Sequence, residues 1–190
     1  MEPILYRVTR PIITVLFKII YRPVIIGKEN IPTSTRVVLA GNHTNNFDCL
    51  LLISSTKRTI HFLAKDDLMK GVKKIIFKNM GIIPVNRKIH DSASLKKAKE
   101  VLNEDKVIGI FPEGTFSKVK GEILPFKIGA VKMSYDTSSK IVPFTIKGEY
   151  KPFRKGLKLE FYKPISIKDN LDLENNKLME KIQTELKKGW

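Results

Sequence analysis

A largely parallel α/β sheet is the fold class that this 190-residue sequence predicts. Three observations point to it. Short apolar runs alternate with longer amphipathic segments along the chain. Two of the runs, Val37-Val38-Leu39-Ala40-Gly41 and Val107-Ile108-Gly109-Ile110-Phe111, read as buried strands. Each opens directly into a polar loop, Asn42 to Asp48 and Pro112 to Ser117, and strand ends are where such sheets usually place chemistry. The expected architecture is α/β, a mostly parallel mixed sheet flanked by helices, with an amphipathic helix at the amino terminus. A chain of this length supports one sizeable core.

The amino-terminal element comes first. From Pro3 to Ile26 the chain is apolar-rich, with Ile4, Val8, Ile12, Val15 and Ile19 at helical spacing. Arg7, Arg10, Lys18 and Arg22 punctuate the segment and Pro11 interrupts it. Its longest uncharged stretch, Pro11 to Phe17, falls far short of the ~18 residues of a membrane span. No small-residue cleavage site follows a clean apolar core, so a signal peptide is not expected. An apolar stripe beside cations suits a helix lying in the plane of a bilayer, its cations near anionic headgroups. The alternative is a core-packing helix with solvated charges. The expected organisation is a membrane-associating amphipathic helix over 1–27 and an α/β domain over 28–190.

A connector through Gly27 and Pro32 leads to the first strand near Arg36 to Ala40. A helix follows over Phe47 to Ser55, then a strand over Thr59 to Ala64. Asp66 and Asp67 read as caps of a helix through Met69, Val72, Ile75, Ile76 and Met80, which Gly81 ends. Ile82 to Val85 makes a short strand. Ser92 to Asn103 reads as an exposed helix, with Ser92 as N-cap and Ala93, Leu95, Ala98, Val101 and Leu102 inward. A strand Val107 to Phe111, a helix Ile128 to Tyr135 and a strand Ile141 to Ile146 come next. Pro143 breaks ladder bonding and so places that last strand at an edge or a bulge. Leu157 to Tyr162 alternates like a half-exposed edge strand, and Leu173 to Lys188 closes the chain as a helix.

Charge narrows the partners. Lys and Arg number 35 against 19 Asp and Glu, a net +16. Such a surplus implies nucleic acid, acidic lipid headgroups or a phosphorylated substrate. No zinc knuckle, aromatic-rich RNA-binding motif or helix-turn-helix pattern appears, so nucleic acid is not expected. The single cysteine, Cys49, rules out an internal disulfide and fits a reducing compartment. It shows no metal-ligand spacing with His43, His61 or His90, so no metal site is expected.

The chemistry centres on Asn42-His43-Thr44-Asn45-Asn46-Phe47-Asp48. With a helix beginning near Phe47, Asp48 occupies its first turn and can fold back onto one ring nitrogen of His43. A carboxylate on Nδ1–H fixes the tautomer and leaves Nε2 to take a proton from a substrate hydroxyl. The plainer alternative is a half-buried histidine beside an N-cap aspartate. Cys49 is a rival nucleophile on paper, but in a helix it points about 100° away from Asp48 and reads as a core thiol. Backbone N–H groups at the start of the helix after His43 are the candidate oxyanion donors.

Three further blocks accompany this one: Gly81-Ile82-Ile83-Pro84-Val85-Asn86-Arg87, Pro112-Glu113-Gly114-Thr115-Phe116-Ser117, and Ile141-Val142-Pro143-Phe144-Thr145-Ile146. In this order and spacing the four resemble the glycerolipid acyltransferase family, whose best-known member is 1-acylglycerol-3-phosphate (lysophosphatidic acid) acyltransferase. The resemblance covers about Gly41 to Ile146. It implies direct transfer of a fatty acyl group from acyl-CoA or acyl carrier protein to the sn-2 hydroxyl of lysophosphatidic acid. The product would be phosphatidic acid, and no acyl-enzyme, metal or organic cofactor would be needed. His43 would be the general base and Asp48 its orienter. Arg87 would grip the acceptor phosphate, since a guanidinium offers two parallel hydrogen bonds. Glu113, Gly114 and Thr115 would build the substrate loop, and Lys65, after a strand, would add charge to the same pocket. The fourth block belongs to the acyl-donor side or is plain structure.

One departure stands out. Family members commonly carry an arginine after this threonine, and here the residue is Phe116, with Lys118 and Lys120 as nearby cations. That leaves open an acceptor with a different polar head. Anionic membrane lipids are the expected surface partner, at the cytoplasmic face of the cell membrane. The rival from another class is a non-catalytic protein that binds anionic lipid.

Overall fold

The computed structural model describes residues 3–66, 71–86, 92–117 and 121–188. Its strands are β1 (Val24–Ile26), β2 (Val37–Gly41), β3 (Ile60–Lys65), β4 (Ile83–Val85), β5 (Val107–Ile110), β6 (Lys140–Gly148) and β7 (Leu157–Phe161). They form one sheet in the order β1-β7-β6-β2-β5-β3-β4. The run from β6 to β4 is parallel, β7 is antiparallel to β6, and β1 is parallel to β7. The expected mixed, mostly parallel sheet is what forms.

The pattern of β2 explains its place at the centre. All five of its residues are buried, and each strand face meets a different layer of helices. Val37 and Leu39 join Tyr6 and Phe17 of α1 (Ile4–Ile20) and Leu51 and Leu52 of α2 (Asp48–Ser55). Val38 and Ala40 join the opposite cluster with Ala98 and Leu102 of α4 (Ser92–Asn103), Val131 of α5 (Gly129–Asp136) and Leu178 of α6 (Leu171–Lys187). Each large aliphatic side chain so buried contributes roughly 1.5–3 kcal/mol by leaving water. The helices expected over 92–103, 128–135 and 173–188 form within two residues of those bounds, although Ala93 is exposed and Ser94 is buried in its stead. α3 (Val72–Asn79) starts later than expected; Asp67 and Met69 lie outside the described residues.

Three expectations need correction, and a fourth, an edge or a bulge at Pro143, resolves to the bulge. The amino-terminal helix does not run to residue 27: it ends at Ile20, and β1 joins the sheet beside β7. Pro23 disfavours helical backbone at Arg22, which adopts φ 45° instead. Pro11 does not break α1; it sits inside the helix, which forgoes one backbone hydrogen bond there. β7 is not an edge strand, because β1 covers its outer side. β6 is not an edge either, as it lies between β7 and β2. Its proline is accommodated by a bulge. Phe144 pairs with Phe161 but Ile141 pairs with Ile165, so the opposing chain carries one extra residue across Pro143.

The outer face of α1 is left uncovered by the described residues. Ile4, Val8, Ile12, Val15, Leu16 and Ile19 are all about half-exposed or more, while Tyr6 and Phe17 carry the packing inward. No helix among the described residues is long and apolar enough to cross a membrane.

Candidate active site

β2 and β5 are parallel neighbours with Ala40 opposite Ile110, so the loops that follow them emerge side by side. The first loop starts at Gly41, where a Cβ would run into the Phe144 ring and carbonyl. Asn42 then leaves the strand while its side chain stays in the ladder. Its Nδ2 donates to the Ile146 carbonyl at 2.9 Å and its Oδ1 accepts the Ile146 N–H at 2.8 Å. The backbone is thereby free to turn outward at His43 with the sheet still satisfied.

His43 Nδ1 lies 2.8 Å from Asp48 Oδ2, as the spacing predicts. Asp48 is fully buried and surrounded by donors. Oδ2 also accepts the N–H groups of Thr44 at 2.6 Å and Asn45 at 2.9 Å. Oδ1 accepts the Thr44 hydroxyl at 3.0 Å and the Tyr150 hydroxyl at 2.6 Å. A carboxylate, acceptor-only when ionised, suits this cage. It assigns the proton to Nδ1 and leaves Nε2 as the basic atom. The imidazole is stacked on Phe111 (ring centroids 4.1 Å apart, 13° between planes) and meets the edge of Phe116 at 5.1 Å.

The N–H groups of Thr44 and Asn45, in the loop before α2, are committed to Asp48 and are not free to meet an oxyanion.

Glu113, in the loop after β5, is buried. Its Oε1 accepts the His43 backbone N–H at 2.8 Å and its Oε2 the Leu124 N–H at 2.7 Å. Burial pushes its carboxyl above the usual range, and the two backbone bonds oppose that rise. Glu113 thus fastens three stretches of chain to one another. Gly114 takes φ 73°, a conformation glycine adopts without strain, and Thr115 beyond it is exposed. Lys65 ends β3, is exposed, and lies at the same end of the sheet as His43. Arg87, with Lys118 and Lys120, lies outside the described residues. Cys49 abuts the apolar cluster, and burial, helped by the Asp48 charge, pushes its thiol up to about 12. A thiol so protonated is a poor nucleophile.

A cavity of about 670 Å³ opens beside His43, lined in part by Asn42, Thr44, Lys147, Tyr150 and Lys187. Its size is that of a small-molecule site. Tyr150 is not among the residues the sequence singles out. It lies 102 positions from its partner Asp48, and no local pattern marks it.

Known proteins share this fold. A solved structure, the 1-acyl-sn-glycerophosphate (LPA) acyltransferase PlsC from Thermotoga maritima, superposes with a TM-score of 0.73 at 23% identity, over 98% of this chain and 79% of that one. At that identity the likeness speaks for the fold. Among curated relatives, the 1-acyl-sn-glycerol-3-phosphate acyltransferase of Borreliella burgdorferi is 36% identical over 65% of this chain and 50% of its own length. The enzyme of the same name from Bacillus subtilis is 31% identical over 75% of this chain and 73% of its own. This chain spans about half the length of the Borreliella and Mycoplasma pneumoniae relatives. The Acyltransferase family model matches residues 22–147, which takes in β2, the His43–Asp48 pair and the Glu113 loop, and the chain belongs to the acyltransferase family.

Proposed function

We propose that the protein transfers a fatty acyl group from a thioester, acyl-CoA or acyl carrier protein, to the sn-2 hydroxyl of 1-acylglycerol 3-phosphate. The observation that carries this reading is the 2.8 Å contact of His43 Nδ1 with the caged Asp48. Nε2 takes the hydroxyl proton as the oxygen attacks the thioester carbonyl, a step worth typically ~10²–10⁴-fold. The tetrahedral intermediate then collapses, the C–S bond breaks, and the imidazolium returns its proton to the departing thiolate. Atoms balance with an ester and a free thiol as products. Arg87 grips the acceptor phosphate, Lys65 adds positive charge, and Gly114 and Thr115 line the approach. The relatives' names support the acceptor.

The site works at a bilayer surface in this reading. Acceptor and product are lipids, and the apolar outer face of α1 is left uncovered by the described residues. With Arg7 and Lys18 on the same helix and a net +16 over the whole chain, that face suits the anionic cytoplasmic leaflet. Phe116 favours a second reading of the acceptor head. It places an aromatic edge, not a cation, against His43, which suits a lysolipid whose head is bound by something other than a charge at this position.

The test is thiol release from palmitoyl-CoA with 1-acylglycerol 3-phosphate in vesicles, for the wild type and His43→Ala. Release that requires both acceptor and His43 is the expected result. Turnover by a folded His43→Ala protein would overturn the mechanism, and vesicle binding with no turnover of any donor would leave only a lipid-binding role.

A further inference from the structure

Tyr150 lies beyond the end of β6 and reaches back across the site to Asp48. Its hydroxyl donates to Oδ1 at 2.6 Å, the length of a bond to a charged acceptor. Burial and the Asp48 charge both hold this phenol protonated, so it can only be the donor. The ring is fixed on three sides. Phe17 and Tyr21, from the end of α1, meet it edge-on at 6.4 and 5.5 Å, and Phe47 lies at 5.9 Å. A phenylalanine would fill the same space; the hydroxyl is worth its desolvation only because it has a partner.

We propose that Tyr150 is a positioning residue for the His43–Asp48 pair, holding the carboxylate at the rotation that presents Oδ2 to Nδ1. Two donors reach Oδ1, and the other, the Thr44 hydroxyl, comes from the same short loop as the pair itself. Tyr150 is the one that comes from outside the loop, its ring held by Phe17 and Tyr21 at the end of α1 as well as by Phe47 of the loop itself. The other ionisable groups facing the pair are Glu113 from the β5 loop, Cys49 on α2 and, behind Tyr150, Tyr21 on α1. None of these donates to Oδ1.

This inference rests on His43 acting as base, and Tyr150→Phe tests it on the full chain. The variant removes one oxygen and keeps the ring, so its melting temperature checks that the fold survives. Turnover should fall about tenfold or more, the factor a charge-assisted hydrogen bond carries, with both KM values unchanged. The His43 Nδ1–H proton resonance, followed by NMR without substrates, should move toward that of an unpartnered imidazole, because the carboxylate no longer keeps Oδ2 on Nδ1. An unmoved Nδ1–H resonance overturns the proposal, even with slower turnover, since lost packing alone would slow the enzyme. Wild-type turnover in the variant overturns it as well. Were the wild type inactive with every donor and acceptor, the proposed function would fail while the Nδ1–H resonance still decided the role of Tyr150.

Discussion

Glu113 accepts the backbone N–H of His43 at 2.8 Å, so a side chain from the β5 loop holds the main chain of the β2 loop. Both of its oxygens are spent on backbone, the second on Leu124. In this geometry it ties the β2 loop, the β5 loop and the chain at Leu124 together. Glu113→Gln keeps one acceptor and turns an NH₂ against the other amide, at a cost of about 1–3 kcal/mol in stability. The pH dependence has a definite sign. The folded carboxyl is raised by burial, so its contribution to stability is full below the unfolded value near ~4.3 and fades as pH climbs through the folded one. The advantage of the wild type over Glu113→Gln should therefore narrow across that window. Urea unfolding of both proteins at several pH values measures it.

Cys49 should be chemically quiet in the folded protein. With its thiol pushed up to about 12, alkylation at pH 8 is expected to be far slower than in urea, and Cys49→Ala should turn over normally. Rapid native alkylation detected by mass spectrometry would contradict this.

Phe116→Arg puts a cation after Thr115, where the family resemblance leads to the expectation of an arginine. The guanidinium would stand beside His43, whose ring the native phenylalanine touches edge-on. KM for an acceptor with a phosphate head should fall by about tenfold, the order of one charge-assisted bond, while KM for a neutral-headed lysolipid stays unchanged. Parallel assays with the two acceptors separate the outcomes.

The outward stripe of α1 predicts a membrane phenotype without a folding one. Val8 and Ile12 are both more than half exposed, so replacing them with glutamate disturbs no core contact. Each loses the roughly 1.5–3 kcal/mol that burial in the acyl region would contribute, and the new charges repel anionic headgroups. Vesicle flotation should fall by well over tenfold, with an unchanged melting temperature.

How each contact is made decides whether the sequence discloses it. β2, β5 and β6 are visible because strands buried on both faces must be apolar without interruption. The His43–Asp48 contact is visible because it closes within one loop. β1 is hidden. It has three residues, comes directly after a proline, and owes its existence to β7 at the far end of the chain. The alternation of Leu157 to Phe161 reads as an edge, but alternation reports on the two faces of a sheet and says nothing of neighbours within it. Tyr150 is hidden because a tyrosine in a loop looks the same whether or not a carboxylate waits across the site.

Asn42 shows a separation of tasks. Its amide occupies the place of one more peptide unit against Ile146, so the sheet is finished by a side chain and the main chain is released early. The loop beyond Asn42 can change length and composition without shifting the register of β6. The scaffold is thereby modular at the point where its chemistry begins, and a loop from a relative could be grafted there while the β2–β6 seam stays closed.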